Sequence, residues 1–218
     1  MATFAEVKGH NRSLIRKILE MSIFAKPVED DDEEITQVWT SDGLVVPPGY
    51  ISVGLTTKDD GASWTRTQES SDVTSHGYAE PTRRDITSDV TGLSFTMQES
   101  KRQALELYHH LDLSSITTDS DGNFYFDKPP RPVQRNWRIL ALGKDGDGLE
   151  AIYVARWLPN AQVTENAEQA WSEGTELRYP ATLTGYTDDK FHTSFREIWG
   201  GPGLDHEAMG FPAPATAG

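Results

Sequence analysis

The chain has 218 residues, no cysteine, and 34 acidic against 20 basic side chains, a formal net charge of −14. That excludes a disulfide framework and any thiolate metal site, and it argues against a protein that grips nucleic acid, because such binding is driven by Lys and Arg displacing counterions from phosphate. No run of ~18 apolar residues and no signal-type apolar stretch appears, so the expectation is a soluble protein made in the cytoplasm, without a membrane anchor, long enough for one β-rich domain with a core.

Met1 to Lys26 carries five basic residues against two acidic ones. Leu14, Ile15, Ile18 and Leu19 have helical spacing, which predicts a short helix over Ser13 to Met21, with Ser22 to Ala25 able to form a strand instead. Pro27 ends this segment. Glu29, Asp30, Asp31, Asp32, Glu33 and Glu34 then form an unbroken acidic block that repels itself and is expected outside the core, as a solvated loop or as an arm seeking a cationic partner. From Tyr50 to Thr56 apolar Ile51, Val53 and Leu55 alternate with their neighbours, the period of a strand. After the Lys58 to Gly61 turn come strand-like runs at Trp64 to Glu69, Val73 to Tyr78 and Asp85 to Met97. In the last, Ile86 and Val90 share one parity and Leu93, Phe95 and Met97 the other, which predicts a β-bulge at Gly92. A Ser100/Gln103 capping box and an Ala104, Leu107, Tyr108, Leu111 stripe predict one helix over about 100–111.

Downstream, Asp119 to Asn123 reads as a turn and Phe124 to Phe126 as a short strand. Lys128 to Arg138 contains four cations, Lys128, Arg131, Arg135 and Arg138, and no acid, with Pro129, Pro130 and Pro132 imposing an extended backbone. Trp137 to Leu142 and Ile152 to Leu158 are strands around a Gly143 to Gly148 hairpin loop. Trp137, Ile139, Leu140 and Leu142 put apolar groups on both faces, which suits pairing with further copies of the chain. Gln162 to Glu176 is acidic, turn-like and free of basic residues. Leu177 to Thr184 alternates cleanly, Pro180 assigns it to an edge or bulge, and Phe191 to Trp199 is expected to return as its hairpin partner. The division that follows is an N-terminal arm over 1–48, a β domain over 49–199 and a Gly, Pro and Ala rich tail over 200–218.

The chemical motifs fail one by one. Asp119, Asp121 and Asn123 begin like a calcium loop, but Phe124 stands where glycine is needed and Pro130 where the bidentate glutamate belongs. Glycines 143, 146 and 148 lie between strands, away from any helix N-terminus that could hold phosphate. The Gly92 to Thr96 run lacks the second glycine of a nucleophile elbow. His206-Glu207 lacks a second zinc-binding histidine, and the adjacent His109 and His110 diverge by about 100° on a helix. No catalytic residue, metal or cofactor is expected, and a hydrolase is the weakest reading.

Several runs carry a resemblance: Pro48-Gly49-Tyr50 with Val53-Gly54-Leu55, Asp60 to Trp64, Asp72 to Gly77, Pro81 to Asp89 and Gln98 to Lys101. Together they resemble the major tail (tail tube) proteins of long-tailed, non-contractile bacteriophages of actinobacteria. The resemblance implies a mainly β tail-tube sandwich or barrel with one flanking α-helix and extended N- and C-terminal arms. It further implies a structural virion protein whose hexameric rings stack into a hollow tube, with arms and a long hairpin binding neighbours. Genomic DNA would leave through the lumen without specific binding, and tape measure, tail terminator and distal tail proteins would be its partners.

An acidic lumen with Ser and Thr on the sheet face opposite the helix would suit such a conduit, since a basic lining would trap DNA. The acidic block Glu29 to Glu34 and the cations Lys128, Arg131, Arg135 and Arg138 are the candidate contact between neighbouring subunits. The alternative is a monomeric carbohydrate- or host-surface-binding β-sandwich using Trp39, Trp64, Trp137, Trp157, Trp171 and Trp199.

Overall fold

The computed structural model describes residues 2–131 and 133–212. Pro132 and the Pro- and Ala-rich end from 213 to 218 lie outside the described residues. The architecture is mainly β. A five-residue helix α1 (Phe4–Lys8) precedes strands β1 (Glu20–Pro27), β2 (Trp39–Thr40), β3 (Gly43–Leu44), β4 (Ile51–Ser52), β5 (Ser63–Val73) and β6 (Arg83–Met97). Helix α2 (Arg102–His109) is followed by β7 (Asn136–Asp145), β8 (Ile152–Glu165), β9 (Tyr179–Gly185) and β10 (Arg196–Gly200).

The main sheet runs β4-β1-β7-β8-β9-β6-β5, with β10 on the first half of β8, and β2 and β3 form a separate small pair. Every pairing in it is antiparallel. Beyond β4 the chain crosses to the far end of this order: Thr56 bridges Met97, Thr57 N–H donates to the Thr96 carbonyl at 3.0 Å, and Gln98 N–H to the Leu55 carbonyl at 2.9 Å. The sheet thereby closes on itself as a barrel, which removes most of its edges.

The interior holds Ile23, Val53, Leu93, Phe95, Met97, Trp137, Ile139, Leu158, Val163 and Leu183, closed by Ala104 and Leu107 of α2. The helix earns its place through that stripe rather than through its cap. Lys101 is the N-cap and offers no side-chain bond, while Ser100 Oγ instead pairs with Tyr179 OH at 2.8 Å. The helix is thus shorter than the expected 100–111, and it ends at His110 in the left-handed region at φ 58°.

Several expectations are corrected. Glu20–Pro27 is an inner strand between β4 and β7, so the sheet domain begins well before residue 49. Of the helix expected over Ser13 to Met21 only Ser13 and Leu14 are helical, within a single 3₁₀ turn (Arg12–Leu14) capped by Asn11. Pairing of eight residues with β7 outweighs the weak local helical preference. The bulge of the β5–β6 pair lies at Thr87, opposite Glu69 and Ser70, and not at Gly92. Gly92 instead sits where the pair leaves the barrel, and a Cβ there would lie 2.6 Å from Thr65 Oγ1. The runs at 74–78 and 124–126 form no strand. β9 and β10 are not hairpin partners: β9 lies between β6 and β8, and β10 pairs β8. At Pro180 the expectation of an edge agrees with the register, because pairing of β8 with β9 stops at Thr182 and only β6 flanks Pro180.

The two-sided strand β7 is covered within the chain. Trp137 and Ile139 face the interior, while Leu140 joins Ala155, Trp157 and Ile198 in a second cluster outside the barrel, roofed by Ile35, Val38 and Tyr50 of the 28–50 segment. Tyr50 OH accepts a hydrogen bond from Trp157 Nε1 at 2.9 Å, and burial pushes its phenol up to about 12.

Adjacent residues of β9 test the two faces. Leu183→Ala removes a fully buried barrel side chain and is expected to cost about 2 to 5 kcal/mol, whereas Thr184→Ala on the outer face should cost less than about 1 kcal/mol. Urea unfolding of the two variants beside the wild type measures both.

Candidate functional site

The acidic block is not solvated throughout. β7 and β8 change register between Trp137 and Ile139, so that Arg138 opposes the Pro159-Asn160 step. A carbonyl freed from the ladder at such a bulge needs a donor. Arg138 supplies it, donating from Nη1 to the Pro159 carbonyl at 2.7 Å. The same guanidinium is 1 % exposed, pairs with Asp188 at 2.9 Å and with Asp32 through Nε, and lies 4.8 Å above the Phe191 ring. Asp32 also binds Lys26 Nζ, and Lys190 Nζ donates to the carbonyls of Asp30 at 2.7 Å and Asp32 at 2.6 Å. Asp188 Oδ1 meanwhile accepts from the backbone of Lys190 and Phe191, at 2.9 and 3.0 Å. The result is a clasp of two carboxylates and three cations that pins the 28–50 segment over the outer cluster.

Of the expected contact residues, the structure brings Asp32 and Arg138 together inside one chain. Glu29 pairs with Lys26 at 3.0 Å, and Glu34 with Arg196. Arg135 lies 4.7 Å from the Trp137 ring, donates to the Leu111 carbonyl at 2.7 Å and is 3.5 Å from Asp112. Asp30, Asp31, Glu33, Lys128 and Arg131 are exposed and have no side-chain ion pair among the described residues. Lys190 and Arg196 escaped the sequence reading because they lie 160 and 162 residues from Asp30 and Glu34, and Asp188, 50 residues from Arg138, and Lys26 carry no local signal of their role. Glu29, Asp31 and Asp32 offer carboxylate oxygens close enough for a cation, but Asp32 is already bound by Lys26 and Arg138.

The other half of the sheet is open. Residues opposite one another in an antiparallel pair share a face, so Thr182 and Thr184 of β9 stand with Ser94 of β6, Gln162 of β8 and Asn136 of β7. They form a ladder of neutral groups: Ser94 Oγ to Thr182 Oγ1 at 3.0 Å, Thr164 Oγ1 to Thr184 Oγ1 at 3.1 Å, and Gln162 Nε2 donating to Asn136 Oδ1 at 2.8 Å. Thr65 and Thr67 extend it onto β5, with the carboxylates of Glu69 and Glu165 on the same face. This is the face opposite the core, and its partners in the sheet leave it uncovered.

β5 and β6 then leave the barrel beyond Gly92 as a free two-stranded ribbon, exposed on both faces apart from half-buried Ser88 and Thr91, reaching roughly 30 Å at ~3.4 Å per residue. Such a ribbon is marginal alone in water. Here Arg66 donates from Nε to Asp89 at 2.8 Å and its fork holds the Asp89 carboxyl down to about 2, while Arg84 bonds Ser70 Oγ at 3.0 Å. Among the described residues the outer edge of β5 has no strand beside it.

The chain thus presents an open polar sheet face, an edge strand unpaired among the described residues and a projecting ribbon. Residues 26–198 match the phage tail tube protein family. The chain belongs to that family. No curated protein matches it.

Membership makes the chain a structural tail protein of a virion; the clasp, the ribbon and most of the barrel lie inside the matched region, while the arm and the first six residues of β1 precede it. For a tail tube subunit the tryptophans are structural: Trp137 and Trp157 are buried, Trp39 stacks on Tyr153 at 5.4 Å, Trp64 meets Phe195 at 5.9 Å, and Trp199 is half-buried. Only Trp171 is exposed, so the row of exposed rings that a sugar platform needs is missing among the described residues. Among the described residues no helix is long and apolar enough to cross a membrane.

Two outcomes test the clasp. Arg138→Met removes the cation that two buried carboxylates share, leaving Asp32 with Lys26 and Asp188 with backbone donors, and is expected to destabilise the chain by about 3 to 5 kcal/mol in denaturant unfolding. Burial alone would push Asp32 up, but hydrogen bonds from Lys26 and Arg138 outweigh it and hold its carboxyl below the ordinary value. A carboxyl depressed in the folded chain stabilises the fold above its unfolded value of about 3.9, and that contribution is lost as pH falls through the folded value. Wild-type stability should therefore fall more steeply below about pH 4 than that of Asp32→Asn, measured by unfolding across that range.

Proposed function

We propose that the chain assembles into hexameric rings that stack into the tail tube of a long-tailed, non-contractile bacteriophage of actinobacteria, a conduit for genome delivery. The observation that carries this reading is the neutral hydroxyl and amide ladder on the open sheet face beside the unpaired edge of β5, in a member of the tail tube family. Sheets joined edge to edge around a ring would turn this face to the lumen and satisfy β5. Hydroxyls and amides can touch phosphate without ion pairing, and Glu69 and Glu165, with a net charge of −14, repel it, so DNA slides rather than binds. On this reading tape measure protein occupies the lumen before ejection, terminator and distal tail proteins close the two ends, and no cofactor is required. The sheet domain is one body, with the arm before residue 20 and the tail after residue 200 serving its contacts.

The acidic block retains a role between subunits through its outward members, Asp30, Asp31 and Glu33, facing Lys128 and Arg131 of a neighbour. Lys128→Glu with Arg131→Glu should reduce tube formation at low ionic strength while leaving monomer stability unchanged within about 0.5 kcal/mol. Sedimentation of assembled tubes against salt measures it, and normal assembly would remove the contact.

Electron microscopy of purified protein is expected to show six-fold rings or tubes. Because the chain has no cysteine, Thr184→Cys places one thiol on the proposed lumen. That thiol should react with a bulky maleimide in the monomer and be protected at least ~tenfold in tubes, as a lumen open only at its ends limits access. Equal labelling in both states would place the hydroxyl face outside.

A further inference from the structure

The N-terminal segment does not share in the clasp. Val7 to Leu19 contains Lys8, Arg12, Arg16 and Lys17 and no acid, and none of these cations has an ion-pair partner among the described residues. Its apolar side chains point into solvent as well: Phe4 is 75 %, Val7 70 % and Ile15 76 % exposed. Such a segment, basic and apolar together, is unfinished in the isolated chain.

Its complement lies at residues 166–178, between β8 and β9. From Gln162 to Leu177 this region has four glutamates, Glu165, Glu168, Glu173 and Glu176, and no base; among the described residues only Glu176 is ion-paired, with Arg178 at 2.8 Å. At its crest Trp171 is 85 % exposed, yet it is not loose. Its Nε1 donates to Gln169 Oε1 at 3.1 Å, Gln169 Nε2 donates to the Arg178 carbonyl at 2.6 Å, and Ser172 bridges Thr175. Beside the indole, Ala170, Thr175 and Leu177 line a shallow pocket of about 260 Å³. A large ring held in place beside an apolar recess, within an acidic stretch of chain, is the composition of an interface anchor.

The two features sit at opposite ends of β8. The arm is tied at the β7–β8 hairpin end, where Leu19 N–H donates to the Lys144 carbonyl at 2.9 Å and Lys17 N–H to Asp145 Oδ2 at 3.3 Å, and Asp145 opposes Ile152. The acidic loop follows Glu165, the last residue of that strand, roughly 45 Å away at ~3.3 Å per residue. Surfaces that complement one another from opposite ends of a subunit join copies head to tail, a heterologous arrangement that generates a filament where the rotation does not close into a ring.

We propose that the basic N-terminal arm of one copy docks on the acidic Trp171 loop of the next copy along the tube, with Ile15 and its apolar neighbours in the recess beside the indole and Arg12, Arg16 and Lys17 against Glu165, Glu168 and Glu173. This rests on the tube reading and names the ring-to-ring partner of the arm.

Two experiments with the full chain test it. Reversing Arg12, Arg16 and Lys17 to Glu should lower pelletable tube at least ~tenfold, and adding Glu165→Lys, Glu168→Lys and Glu173→Lys should restore it to within about twofold, because opposite charge sets register and encounter. In the cysteine-free background, Ile15→Cys with Ser172→Cys should give, on mild oxidation of tubes, a ladder of covalent multimers on non-reducing gels, where each single variant gives at most dimers. Tubes that form normally despite the reversed arm, or an intrachain disulfide without a ladder, overturn the docking and leave the tail tube reading standing. A wild type that forms neither rings nor tubes overturns both.

Discussion

One buried guanidinium holds the parts of this subunit in relation. Arg138 sits where β7 and β8 slip register, and its fork satisfies the Pro159 carbonyl that the slip releases. At the same level β8 changes its second neighbour, pairing β10 through Trp157 and β9 from Ala161 onward. The bulge therefore lets one strand serve two regions of the sheet. A charge taken out of water at this depth is costly unless it is paired, and Asp32 and Asp188 pair it from two distant segments. The bend in the barrel, the docking of the 28–50 segment and the closure of the 186–195 loop are consequently one event.

This interdependence explains why the molecule has one dry outer surface and one wet one. Over β1, β7, β10 and the first half of β8, the clasped segment roofs Leu140, Ala155, Trp157 and Ile198. Over β9, β6, β5 and the second half of β8 nothing crosses, and the outward positions are threonines, serine and glutamine instead of apolar residues. Side-chain hydroxyls on adjacent strands satisfy one another across the ladder, so the open face stays ordered without a cover. In the proposed tube, assembly would use that face, the β5 edge and the ribbon without exposing the core.

Much of the architecture was legible because alternation is a local property. Leu93, Phe95 and Met97, or Tyr179, Ala181 and Leu183, declare a buried face every second residue, and the Ala104, Leu107 stripe declares a helix against it. Where local rules competed with pairing, they misled. Leu14 to Leu19 has helical spacing but leads into β1, whose register with β7 decides its state, and Ser100 spends its hydroxyl on Tyr179 and not on a cap. The two apolar faces of β7 were visible, but the cover for the outer one came from Ile35, Val38 and Tyr50 across the sheet, which no window of sequence can show.

The acidic block draws the same line most clearly. By itself the sequence determined a cysteine-free, strongly acidic β protein with no catalytic or metal-binding pattern, and it placed six like charges together, because composition and short-range periodicity need no partner to be read. Only the tertiary structure decided that Asp32 is buried while Asp30, Asp31 and Glu33 stay in water. A carboxylate enters the interior only where cations converge on it, and Lys26 and Arg138 meet there through strand pairing across more than 100 residues of chain.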